Sequence, residues 1–162
     1  MIKGFAALGL AVFLASSLVT MNSAYAQKSK SKVDIESDQM ELFEDQNKAI
    51  FKGNVRARRS DVRLNSTVLV ATFQKTANGG TDVTWLETTG GGVTIITSSQ
   101  TITGDRMKMN VKANTAIVTG NVTVKQGTSL VKGEKLDVDL NTNQSKFTSG
   151  SSGKVKFSFT PD

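Results

Sequence analysis

The strongest constraint in this chain is that it writes itself twice. Residues 49–55 read AIFKGNV and residues 116–122 read AIVTGNV. Residues 35–73 slide onto 102–140 without a gap and share ten identities in thirty-nine positions. Ile35 falls on Ile102, Asp38 on Asp105, Met40 on Met107 and Asn47 on Asn114. Ala49, Ile50, Gly53, Asn54 and Val55 fall on their copies, and Leu69 on Leu136. A repeat of this length is one supersecondary unit that stacks on its copy to bury an apolar face neither can bury alone. A shorter likeness lays residues 91–111 on 120–140. With it, Gly-x-Val recurs at Gly53/Val55, Gly91/Val93, Gly120/Val122 and Gly153/Val155. The first interval exceeds the second by nine residues, the length of the polar stretch QKTANGGTD (74–82), which reads as an inserted loop.

Within each unit the period is two. Ala49, Phe51, Gly53, Val55 and Ala57 share one face, and Ile50, Lys52, Asn54, Arg56 and Arg58 the other. The copy repeats this, with Ala116, Val118, Gly120, Val122 and Val124 opposite Ile117, Thr119, Asn121, Thr123 and Lys125. RMKMNV (106–111) and KLDVDL (135–140) alternate as strictly. Alternation with β-branched residues is strand, apolar on one face. No helical period is sustained after residue 27, and the single proline is Pro161. The fold expected is all-β, built from many short antiparallel strands. The alternation turns Ile35, Phe51, Val55, Ile95, Met107, Met109 and Val111 inward, and Val33 begins the same phase. These apolar side chains, methionine being adaptable at binding surfaces, line either a thin solid core or a groove left partly open for a ligand.

The first residues have the parts of a secretory signal: Lys3, an apolar or small run over 4–19, and Ala24-x-Ala26 before Gln27. The alternative is a membrane anchor, for which the run is short and lacks a basic stop on its far side. Cleavage after Ala26 leaves residues 27–162 as one domain. Lys3 is the only charge removed, so 19 basic face 14 acidic side chains, a net +5. That balance suits either an ordinary solvated surface or an anionic partner such as a phosphorylated lipid; nucleic acid is not expected in an exported protein. Despite export there is no cysteine, so stability must come from burial and strand pairing.

Enzymatic chemistry has little to work with. The chain contains neither His nor Cys, which removes His-based triads, thiol nucleophiles and the commonest zinc ligands. No cofactor is expected. Asp137 and Asp139 lie on the outward phase of a strand and read as a solvated face. Gly90-Gly91-Gly92 is not followed by a helical pattern, so it reads as a bend leading into a strand rather than a phosphate cradle.

These same residues resemble the OstA-like family in its LptA-like branch. The likeness rests on Ile-x-x-Asp ahead of a short strand, the Gly-Asn-Val mark, the turn at Lys125-Gln126-Gly127 and the closing GKVKFSFTP (153–161). It spans nearly all of residues 33–161. One departure is RARRSDVRL in the first copy, where a basic run replaces the Gln-Gly turn. The resemblance implies a twisted, partly open, V-shaped β-jelly roll that holds the lipid A acyl chains of lipopolysaccharide. The lining residues would then be lipid-binding: Val33, Ile35, Phe51, Val55, Ile95, Met107, Met109 and Val111. It further implies a periplasmic transport protein that docks an LptC-like inner-membrane partner, an LptD-like outer-membrane partner, and copies of itself head to tail. The exposed edges expected for that docking are the strands around Val33–Ser37 and Lys154–Phe159. Two other readings stay open: a membrane-tethered sister domain of the same system, and a structural β-repeat module with a solid core.

Overall fold

The computed structural model describes residues 33–142, 144–151 and 153–160; the signal-peptide reading of residues 1–26 lies outside them. The repeat is realised strand for strand. The first copy forms β1 (Val33–Glu36), β2 (Gln39–Phe43), β3 (Lys48–Arg59), β4 (Val62–Lys75), β5 (Thr81–Thr88) and β6 (Val93–Ile96). The second forms β7 (Thr101–Gly104), β8 (Arg106–Asn110), β9 (Thr115–Gln126), β10 (Ser129–Asp139), β11 (Gln144–Thr148) and β12 (Lys156–Ser158). All pairings are antiparallel and join one continuous sheet.

Four long strands divide that sheet into two arms. The N-terminal half of β3 pairs with β2 and its C-terminal half with β1, and β9 does the same with β8 and β7. β4 pairs with β6 and then β5, and β10 with β12 and then β11. The crease between the arms is what the Gly-Asn-Val mark encodes. Gly53 and Asn54 stand opposite Thr67 alone, since Lys52 pairs with Val68 and Val55 with Ser66. Gly120 and Asn121 likewise stand opposite Glu134. Two residues against one is a β-bulge, which bends a strand and sharpens its twist. All four bulge residues take positive φ, +76° and +46° in the first copy and +77° and +49° in the second. Such φ values come at low cost only to Gly and, among other residues, to Asn.

The Ile-x-x-Asp element clips each bulge. The Asp38 amide donates to the Gly53 carbonyl at 3.0 Å, and Asn54 Nδ2 donates to Asp38 Oδ2 at 2.8 Å. Asp105 repeats both bonds, with Gly120 at 2.9 Å and Asn121 at 3.1 Å. Asn47 and Asn114 are also matched. Each takes positive φ in the turn before β3 or β9, and its carbonyl accepts at 2.9 Å from an amide of the neighbouring strand's end, Phe73 of β4 or Leu140 just after β10.

Three expectations change. The four Gly-x-Val marks are two kinds: Gly53 and Gly120 form bulges, whereas Gly91 and Gly153 precede β6 and β12. The stretch 74–82 is only partly loop, because Gln74 pairs with Asp82 and Lys75 with Thr81, leaving a turn at residues 76–80. Alternation holds along β3 and β9 but slips in their partners. In β4 the inward residues are Leu64 and Ser66, then Leu69 and Ala71. Residues paired across a ladder share a face, so a two-against-one step shifts the phase of one strand. At the turn after β3, Ser60 takes φ +53° where the copy has Gly127 at +56°, so the basic run keeps the same turn geometry.

Asp139 caps the turn between β10 and β11. Its Oδ1 accepts from the Asn141 amide at 2.8 Å and from Thr142 at 3.3 Å, and the Asn141 bond foremost holds this carboxyl below its ordinary range.

Candidate functional site

Cross-strand partners on the inner face can be followed from one end of the molecule to the other. In one arm they run Ile35–Ala57–Leu64–Ile95–Ile102–Val124–Val131–Phe157, every member apolar and each directly opposite the next. In the other arm a matching row runs Leu42–Ala49–Ala71–Leu86–Met109–Ala116–Val138–Ser145. At about 4.8 Å per strand, eight strands carry each row roughly 33 Å. The two rows face one interior, because Val55, Ala57 and Leu64 of the first arm pack in one cluster with Leu69, Met107, Val118 and Leu136 of the second.

That interior is open at one side. An apolar groove of about 190 Å³ lies between the arms near β1, lined by Val33, Ile35, Ala57, Leu64, Val62, Val83, Leu86, Met109 and Val111. Arg58 and Arg59 add two positive charges to its lining. A larger cleft of about 540 Å³ opens at the crease, but Asn54, Arg56, Asn65, Ser66 and Thr67 make it polar and unsuited to alkyl chains.

The structure brings four of the eight expected residues, Val33, Ile35, Met109 and Val111, to this groove. Val55 and Met107 lie deeper, 1% and 3% exposed in the packed core. Phe51 and Ile95 are partly buried against that core. Sequence reasoning missed Val62, Leu64, Val83 and Leu86. Leu86 pairs with Met109 across the boundary between the two repeats, a contact no local pattern announces. Lys108, on the opposite phase from Met109, points away: its ammonium lies 4.0 Å from Glu87 and 5.1 Å from the centre of the Trp85 ring. Arg56 is exposed, and Arg59, half-buried as the last residue of β3, joins Arg58 at the groove.

A family model described as LptA/(LptD N-terminal domain) LPS transport protein matches residues 34–100 and again 101–162. The chain belongs to this family. Each match to the LptA/LptD N-terminal domain covers one repeat, and the boundary falls where β7 begins. An uncharacterized protein of Rhizobium meliloti (strain 1021) is 23% identical over 165 residues, spanning 96% of this chain and 88% of the relative. Among solved structures, the chain is similar to LptH of Pseudomonas aeruginosa, described as the LptA homologous periplasmic component of the conserved lipopolysaccharide transport device. The TM-score is 0.70 at 14% identity, over 81% of this chain and 96% of LptH. The fold is therefore the LptA-like β-jelly roll, and the family is one of lipopolysaccharide transport.

Proposed function

We propose that residues 27–162, released by a signal peptidase, act in the periplasm as a lipopolysaccharide-binding bridge. The protein passes the lipid from an LptC-like inner-membrane partner to an LptD-like outer-membrane partner, through copies of itself joined head to tail. It binds and conducts rather than catalyses. The observation that carries this reading is the unbroken apolar row across eight strands, which ends at a sheet edge on both sides. An acyl chain of about a dozen methylenes costs on the order of 10 kcal/mol to leave in water, at ~0.8 kcal/mol per CH₂. A lipid crossing an aqueous compartment thus needs apolar surface that does not stop at the end of one molecule, and open strand edges let a neighbour continue it.

Val33, Ile35, Met109 and Val111 would meet acyl chains first. Phe51, Val55, Ile95 and Met107 would meet them as the arms part. A photo-crosslinking residue at Met109 is expected to capture lipopolysaccharide in cells, and one at Lys108 is not. Equal labelling at both sites removes the face assignment, and labelling at neither favours a structural module with a solid core.

The groove lining supports a second expectation. Arg58 and Arg59, which line the groove, would meet lipid phosphates at its rim, with Arg56 nearby on the same strand. Changing Arg56 and Arg58 to Gln should weaken lipid binding about fivefold at low salt and flatten its salt dependence, because charge-assisted contacts at an exposed rim are screened. Capture at Met109 should survive. Wild-type affinity at both low and high salt in this variant assigns the arginines to the solvated surface.

A further inference from the structure

The two repeats of one chain are themselves joined end to end, and that internal seam specifies how a second copy would join. At the seam β6 pairs with β7, with Thr94 opposite Thr103 and Ile95 opposite Ile102. Beside it β5 pairs with β8, with Glu87 opposite Lys108. The repeat makes β1 and β2 the counterparts of β7 and β8. Through their partners on β4 and β10, β6 corresponds to β12 and β5 to β11. Asn65 faces Thr94 as its counterpart Lys132 faces Lys156, and Val70 faces Glu87 as its counterpart Asp137 faces Lys146.

Transferring the seam to the free ends fixes an intermolecular register. Phe157 falls opposite Ile35 of the next copy, Lys156 opposite Glu36, and Lys146 opposite Glu41. The first pair continues the apolar row, and it covers Phe157, now 62% exposed. The other two are oppositely charged. Glu36, Glu41, Lys146 and Lys156 are all exposed, and within the chain Glu41 is held only at the surface, by Lys52 at 2.6 Å.

We infer that the ends of this protein carry a charge code, acidic at the β1/β2 end and basic at the β11/β12 end, that selects a second copy in the head-to-tail sense. Head-to-head contact sets Glu against Glu, and tail-to-tail contact sets Lys against Lys. Like charges directly opposite across a ladder are destabilising, so only the open, heterologous joint is favoured. The code also separates the internal seam from the external one. Inside the chain the acid is on the β5 side and the base on β8; at the ends the signs are reversed. A β11 edge that strayed to β8 would place Lys146 against Lys108, and a β2 edge that strayed to β5 would place Glu41 against Glu87. Repeats that resemble each other this closely need such a device against pairing one repeat out of step.

This inference rests on the end-to-end reading above, and its test uses assembly without lipid: a parent protein that forms no oligomers removes that reading, whereas parent oligomers that the charge variants leave unchanged remove the charge code alone. Two variants are made: Glu36→Lys with Glu41→Lys, and Lys146→Glu with Lys156→Glu. Alone, each should lose concentration-dependent oligomers, with apparent dissociation weakened about tenfold or more, because both of its ends now carry one sign. Mixed, they should assemble again, as the head of one meets the tail of the other. A mixture that stays monomeric while both variants keep the β-sheet circular dichroism of the parent overturns the charge code. The register is read separately, since the chain has no cysteine of its own. Glu36→Cys with Lys156→Cys should give a disulfide-linked ladder of multimers on mild oxidation, and Glu36→Cys with Phe157→Cys should not. Equal ladders, or a stronger one from the second pair, overturn the register.

Discussion

Replacing Gly120 with alanine should destabilise the protein by about 3 kcal/mol, the sum of a left-handed backbone penalty of about 1–2 kcal/mol and a comparable packing clash. A Cβ at this position runs into the Asp105 carboxylate and comes within 2.8 Å of the Asp105 Cβ. Asp105 cannot retreat freely, because its amide and its carboxylate both hold the bulge. Gly127→Ala is the control. It shares the left-handed backbone, at φ +56°, but nothing lies within 4 Å of the added methyl, so only the backbone penalty should appear. Urea unfolding of both variants measures the difference. Equal losses would show that the clip contributes no steric constraint. Gly120→Ala made in an Asp105→Gly background should lose the clash and keep only the backbone cost.

This bulge also marks how far the sequence could be read. The repeat, its strands, the inward face of β3 and the bend at Gly90–Gly92 were all legible, because alternation and self-similarity are local signals. The spacing of Asp38 and Asp105 from the Gly-Asn pairs was visible too, although not its purpose, since the clip closes across sixteen residues between neighbouring strands. What stayed hidden depends on pairing. Leu64 and Leu69 are both inward although they sit five residues apart, and no period-two reading of β4 alone allows that. Val62, Val83 and Leu86 enter the groove because β1, β4, β5 and β8 converge there, which only the tertiary registers decide. Ser60 in a left-handed turn was hidden for a simpler reason: serine carries no mark for that conformation as glycine does.

Deleting residues 153–162 should leave a folded β protein that is monomeric at concentrations where the intact chain is expected to form oligomers. β12 contributes three residues, all exposed, paired to β10 alone, and none belongs to the packed core. Removing them exposes one side of Val131 but breaks no buried ladder. The stacked rings of Phe157 and Phe159, 5.7 Å apart, are lost from the end that a neighbour would cover. Sedimentation velocity over a concentration series, with circular dichroism of the same samples, checks both halves. Unchanged oligomers in the truncated protein would remove β12 from the joint and leave β11 as the edge to examine.

The strand-for-strand duplication sets a unit of length. Each repeat adds four strands to each arm, roughly 19 Å at about 4.8 Å per strand, and closes with an edge that pairs with the opening edge of the next repeat. Reach can therefore change only in whole steps of that size. A chain of one repeat or of three would present ends of the same shape as this chain of two, and would need only the right charges on them to join the filament proposed above. Distance is counted in repeats, and where one molecule stops within the count makes no difference to the path.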